Sequence, residues 1–172
     1  MSLQNKFRLA ISDEFFDAYS RLPRNAQGKV SEFINRFRQD PTRPGLNFES
    51  IRNGQDKGIK SVSIDPAHRA VVLKPDSGNV YILLWVDKRD GAYTWAQGKK
   101  CLVNEVSGAL QIIDIEAVES TTERLGQKNT GETAKRFDSI RNKDLMRLGV
   151  PELMLSAVRQ VVTDEDLEQL FP

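Results

Sequence analysis

Apolar and polar positions alternate through Phe7-Arg8-Leu9-Ala10-Ile11, the two-residue period of a strand with one buried face. The period then changes. Phe15, Phe16, Tyr19 and Leu22 recur at helical spacing behind Ser12 and Asp13. Either of those two offers a short side-chain oxygen to a free amide of the first turn. Pro23 ends this helix. Val30, Phe33, Ile34 and Phe37 form the apolar stripe of a second, which Asp40-Pro41 closes because a residue before proline disfavours the helical region. The short link predicts an antiparallel helix hairpin. Residues 41–58 are rich in Pro, Gly and Asn and read as loop with little regular structure.

Three strands are expected next. Ile59 to Ile64 alternates, Arg69 to Lys74 is apolar and β-branched, and Val80 to Val86 is almost continuously apolar, as a central strand would be. Asp76-Ser77-Gly78-Asn79 is hairpin punctuation between the last two. Asp90 to Gln97 predicts a short helix, Cys101 to Ile113 a hairpin turning near Ser107-Gly108, and Asp114 to Leu125 a further helix. The run Gly126 to Thr133 reads as a linker, and Phe137 to Phe171 is helical in pattern. Within it Gly149-Val150-Pro151 is a break, Pro151 starts a helix carrying Leu153, Leu155, Val158, Val161 and Val162, and Thr163 opens a capping box. Helices segregated from hairpin-linked strands predict an α+β fold rather than a doubly wound parallel sheet.

Composition narrows the chemistry. With 172 residues, 39% hydrophobic and 28% charged, the chain suits one globular domain or one with an appendage. Its single Cys excludes an internal disulfide or a multi-cysteine zinc site. Its single His, His68, excludes a multi-histidine metal site and is the one imidazole open to catalysis. No apolar run approaches ~20 residues, the length that spans a bilayer. Residues Met1 to Lys6 carry no apolar signal core, so a cytoplasmic protein is expected, without membrane partners. A net charge of +1 means that any nucleic-acid-binding surface must be local.

Several blocks resemble a known family. Gly45-Leu46-Asn47-Phe48-Glu49, Ser61-Val62-Ser63-Ile64-Asp65, His68-Arg69-Ala70-Val71-Val72, Leu84-Trp85-Val86-Asp87 and Asp90-Gly91-Ala92-Tyr93-Thr94-Trp95-Ala96 follow one another in the strand–helix–helix–three-strand order. Together they resemble the RelE/ParE toxin-like domain found at the N-terminus of certain bacterial UvrD/Rep-type DNA helicases. Asn104 to Gln111, Leu145 to Leu153 and Thr163 to Leu167 are similar to the segments that follow it there, before the motor. The resemblance implies a βααβββ antiparallel sheet with a helix hairpin, then an extra hairpin and a helical tail. It divides the chain into a RelE/ParE-like domain at 6–98, a hairpin and helix extension at 99–126, a linker at 127–136 and a helical pre-motor segment at 137–172. It also implies a longer parent protein, with Leu170-Phe171-Pro172 in an inter-domain stretch.

Neither Gly28-Lys29-Val30 nor Gly98-Lys99-Lys100 completes the phosphate-binding pattern of an ATPase, which needs an earlier Gly and a Ser/Thr after the Lys. ATP and magnesium are therefore expected only in a motor outside this chain, and no cofactor within it. Three functions follow as expectations: a nucleic-acid- or protein-binding regulatory module acting with a motor in cis, an mRNA-cleaving toxin, or a pure protein-interaction module with its partner on the sheet face. For cleavage, Arg69 matches the strand arginine that meets phosphate in RelE-like toxins; the other reading pairs it with a carboxylate at the surface. Ser63 stands where many relatives carry Arg, and Lys88-Arg89 replace a His-His pair, so proton-shuttling imidazoles are missing. His68 and Arg69 are strand neighbours and should point to opposite faces. Tyr93 could stack on a base or pack its helix onto the sheet. For binding, Lys60, Arg69, Lys88, Arg89, Lys99 and Lys100 are the cations gathered around the strands and the following turn. The acidic run Asp114 to Glu123 reads either as a mimic of a bound partner segment or as a helix covering a sheet face through Ile115, Val118 and Leu125.

Overall fold

The computed structural model describes residues 7–74, 76, 78–131 and 134–171. It divides into two compact units, one ending at Gly98 and one starting at Lys99.

The first unit runs β1 (Arg8–Ile11), α1 (Asp13–Ser20), α2 (Arg24–Gln39), β2 (Phe48–Ser50), β3 (Ile59–Ser63), β4 (His68–Leu73), β5 (Val80–Lys88) and α3 (Arg89–Gln97). The sheet order is β1-β5-β4-β3-β2. It is mixed rather than all antiparallel, because β1 lies parallel to β5 while every other pair is antiparallel. The segment 41–58 is also not all loop: Phe48, Glu49 and Ser50 pair with Val62, Ser61 and Lys60 as an edge strand.

Local chemistry sets these elements. Ser12 caps α1, its Oγ accepting from the Phe15 amide at 3.2 Å and donating to the Leu84 carbonyl at 3.1 Å. The cap thus pins α1 to β5. Pro23 stands before the first turn of α2, and Gln27 Nε2 donates back to the Leu22 carbonyl at 2.9 Å, closing the link between the helices. Phe15, Val30, Phe33 and Phe37 bury the shared helix face against Val62, Ala70, Val72, Tyr81, Leu83 and Val86. Burying a Phe or Val side chain in this way contributes about 1.5–3 kcal/mol each. α3 covers the opposite face, where Trp95 stacks on Trp85 with centroids 5.2 Å apart and planes 7° from parallel.

The second unit holds a β6 (Lys99–Val103) and β7 (Leu110–Asp114) hairpin, α4 (Ile115–Lys128), α5 (Asn142–Arg147), a 3-10 turn at Glu152–Met154, α6 (Leu155–Val158) and α7 (Asp164–Leu170). The helix expected to stop at Leu125 runs on to Lys128 through Gly126, so the stretch 127–136 is not all linker. Leu125 shares one core with Leu145, Met154, Ala157, Val158, Val161 and Leu170, which joins the extension and the tail into a single packed body. The tail is a set of short helices rather than a long one, and Pro151 opens a 3-10 turn. Thr163 and Asp166 form the expected capping box of α7. α4 spends its apolar stripe on α6 and α7 rather than on a sheet face.

Asp166 is wholly buried, and it accepts from Lys128 Nζ (2.5 Å), Asn129 Nδ2 (2.9 Å) and the Val162 (3.0 Å) and Thr163 (3.2 Å) amides. Burial alone would raise its carboxyl, but those donors outweigh it and hold it well below the usual carboxylate range. No helix of the described residues is long and apolar enough to cross a membrane.

Candidate functional site

Side-chain alternation places Val62, Ala70 and Val72 against the helix hairpin, so Ser61, Ser63, Arg69 and Val71 face the side that α3 covers. Register lines up Glu49, Ser61, Val71 and Trp85 across four strands, and Ser63, Arg69 and Asp87 in the next row. Glycine at 91 leaves room for the Asp87 carboxylate at the start of α3: a Cβ there would sit 2.2 Å from Asp87 Oδ2.

A polar chain runs over this face. Ser61, without exposure, donates from Oγ to Tyr93 Oη at 3.2 Å, and Tyr93 donates to Glu49 Oε2 at 2.8 Å. The Arg89 guanidinium lies 5.9 Å from the Tyr93 ring centroid, within cation–π reach. Tyr93 thus packs α3 onto the sheet and holds a carboxylate in place.

Arg69 is only 8% exposed. It is neither a solvent-facing strand arginine nor the partner of a carboxylate. Its Nη1 donates to the Asp65 carbonyl at 2.9 Å and the His68 carbonyl at 3.0 Å, and its buried Nε has no partner among the described residues. Asp87 stands opposite in register, yet no carboxylate of the described residues forms an ion pair with Arg69. A nearly buried cation without a counter-ion has a strong demand for an anion.

The Asp65 carboxylate is already committed. Asp65 Oδ1 accepts from the His68 and Ala67 amides at 2.7 and 2.8 Å, Lys29 Nζ reaches Oδ2 at 3.1 Å, and His68 Nδ1 lies 3.1 Å from both oxygens. Burial works against the charged form, but the His68 amide, Lys29 and the Ala67 amide hold the carboxyl far below its ordinary value. His68 pairs with Lys88 in register on the face opposite Arg69, where it braces the β3–β4 turn.

A cleft of about 510 Å³ opens between α2, residues 43–46 and this turn, with Phe33, Leu46 and Ile64 as apolar lining and Arg36 and Arg43 as its cations.

The six sequence-derived cations do not share one face. Arg69 and Arg89 belong to the α3 side, whereas Lys60 pairs in register with Ser50 and donates to its Oγ at 3.0 Å, opposite in alternation to Ser61. Lys88 shares the His68 side. Lys99 and Lys100 belong to the second unit, where Lys99 Nζ donates to Asp114 at 2.9 Å. Sequence reasoning missed Glu49, Arg36 and Arg43 as site residues. The clue for Glu49 was its place inside a motif block, and helical spacing from Phe33 already put Arg36 at the edge of an apolar stripe.

No family model and no curated protein matches the chain. Among solved structures it is similar to the RelBE2 toxin–antitoxin complex from Mycobacterium tuberculosis, at 18% identity and a TM-score of 0.41 over 52% of this chain and 98% of that one. It is similar to the archaeal RelE–RelB complex from Pyrococcus horikoshii OT3, at 16% identity and a TM-score of 0.39 over 49% and 96%. It is also similar to a YoeB/ParE toxin from Agrobacterium tumefaciens, at 20% identity and a TM-score of 0.39 over 48% and 99%.

Proposed function

We propose that the first unit engages RNA on the α3 side of its sheet and cleaves the phosphodiester backbone, in the manner implied by the resemblance to RelE-like toxins. The observation that carries this reading is the Glu49 carboxylate, held by Tyr93 Oη at 2.8 Å on the same sheet face as the carboxylate-free guanidinium of Arg69. Cutting RNA by its own 2′-hydroxyl needs a base for that proton and positive charge for the crowded phosphate. Glu49 takes the 2′-proton. The 2′-oxygen forms its bond to phosphorus as the bond to the 5′-oxygen breaks, and the leaving oxygen takes a proton from a water, which recovers one from Glu49. Arg69 and Arg89 offset the charge that builds on the phosphoryl oxygens. The products are a 2′,3′-cyclic phosphate and a 5′-hydroxyl end.

The test is cleavage of an end-labelled single-stranded RNA by the whole chain, alone and with ribosomes. Wild type should cut. Glu49→Gln should cut at least about 100-fold more slowly, the scale of one general base, while still binding RNA in a salt-sensitive way. Intact RNA with wild-type protein under both conditions would sink the proposal.

A second reading, the non-motor N-terminal region of a UvrD/Rep-type helicase, is favoured by one observation. Asn104 to Gln111, Leu145 to Leu153 and Thr163 to Leu167, which carry that resemblance, all fall in a separate packed unit with its own core. In this reading the first unit binds nucleic acid or a protein for a motor in cis, and that motor holds ATP and magnesium. An immunoblot of source cells decides: a polypeptide several-fold longer than this chain supports it, and a product of this length removes it.

A further inference from the structure

The second unit carries a groove that neither reading of the first unit uses. α4 is sealed at its C-terminal half, where Leu125 is fully buried against α6 and α7. Toward its N-terminal half the same apolar stripe continues through Val118 and Ile115 but is only partly covered. Between this half and residues 153–156 lies a cleft of about 400 Å³ lined by Ile115, Val118, Thr122, Leu153 and Ser156. Thr122 adds a methyl rather than a hydroxyl, because its Oγ1 donates to the Val118 carbonyl at 2.6 Å. From Ile115 to Thr122 is two helical turns, about 10 Å, enough to seat two turns of a facing helix.

The rim of the groove has one sign. Glu119 and Glu123, one helical turn apart, line it from α4. Among the described residues no Lys or Arg lines the groove, and neither glutamate belongs to an ion pair. An apolar trough edged by carboxylates without a neighbouring cation is complementary to an apolar ridge flanked by cations.

We propose that this groove docks a basic amphipathic helix of a protein partner, with apolar side chains at i and i+3 or i+4 entering the trough and flanking Lys or Arg meeting Glu119 and Glu123. The apolar contact supplies affinity, and the carboxylates select the sign of the partner and its orientation. This inference does not depend on the function of the first unit.

The experiment uses the whole chain and two labelled peptides of about fourteen residues, near the length at which an isolated helix becomes marginally stable. One carries leucines at helical i, i+3 and i+4 positions with lysines elsewhere; the other replaces every lysine by glutamate. Fluorescence anisotropy should show saturable binding of the lysine peptide only, weakening as salt is raised. The Glu119→Lys/Glu123→Lys variant, changed only at exposed positions, should bind about ten-fold or more weakly, a loss of about 1.4 kcal/mol. Ser156→Trp, which fills the trough from an exposed position, should compete with the peptide without a change in net charge. Unaltered circular dichroism and melting of both variants keep the comparison valid. Absence of saturable lysine-peptide binding, equal binding of the glutamate peptide, or undiminished binding by the charge-reversed variant would each overturn the proposal.

Discussion

Tyr93 on α3 donates its phenolic proton to Glu49 on β2 at 2.8 Å, while the same oxygen accepts from the buried Ser61 hydroxyl at 3.2 Å. One phenol therefore satisfies a core hydroxyl and fixes an edge-strand carboxylate. Tyr93→Phe should strand the Ser61 hydroxyl and lower stability by about 1–3 kcal/mol. Adding Ser61→Ala removes the stranded group, so the double variant should be more stable than the two single losses predict. A double-mutant cycle from urea titrations that proved additive would remove the chain of bonds from the account.

Arg69 gives a sharper test of its role. Its two carbonyl acceptors keep other donors without it: Ile64 N donates to the His68 carbonyl at 3.1 Å, and Ser63 Oγ to the Asp65 carbonyl at 3.3 Å. Arg69→Met should therefore leave the melting temperature level or raise it, since replacing an uncompensated buried cation by an apolar chain of similar length is often neutral or stabilising. RNA binding should weaken, and its dependence on log salt should become shallower by about one. A stability loss above about 2 kcal/mol with unchanged RNA binding would make Arg69 a structural brace instead.

Two helical glycines should respond in opposite directions. Nothing lies within 4 Å of a Cβ placed at Gly28, on the exposed side of α2, so Gly28→Ala should stabilise by roughly 0.5–1 kcal/mol. Gly91→Ala instead puts a methyl 2.2 Å from Asp87 Oδ2, so the Asp87 carboxylate must swing away from the amide of Lys88 that it accepts from, and the melting point should fall slightly rather than rise. Thermal melts of the pair settle both.

Acid should loosen the second unit through Asp166. Its carboxyl titrates lower in the folded chain than in the unfolded one, so in acid the unfolded chain takes up the proton first. The stability it contributes is full above an ordinary aspartate value of about 3.9 and falls away below that, toward the lower folded value. Asp166→Asn should flatten the pH dependence of the urea midpoint in that range and cost about 3 kcal/mol near neutrality. An unchanged acid slope would show that Asp166 does not set it.

The elements with a sustained period were the ones legible beforehand. Phe15 to Leu22 and Val30 to Phe37 repeat often enough to mark helix faces, and Val80 to Val86 is too apolar to lie anywhere but inside. β2 escaped because three residues cannot display a period, and its pairing depends wholly on β3. The parallel placement of β1 was hidden because it is a choice between sheet edges, made by the Ser12 contact to Leu84 and the pairing with β5. At the site, alternation assigns His68 and Arg69 to opposite faces, yet both side chains reach Asp65. It could not show that Arg69 would fold back onto the β3–β4 turn, or that Tyr93 would reach across to Glu49. Both are tertiary contacts without a local signature.

The parallel pairing of β1 with β5 has a consequence for how the molecule is made. Arg8 finds its partner at Val80, and Ser12 waits for Leu84, 72 residues later. At roughly 5–20 residues per second, translation leaves the first strand solitary for about 4–14 s. During that interval the α1 and α2 segments have been made while much of the sheet that will shield Phe15, Phe33 and Phe37 has yet to be synthesised. Nascent chains of this protein should therefore need a chaperone most until β5 emerges, and variants that slow synthesis between residues 40 and 80 should lose yield without losing stability.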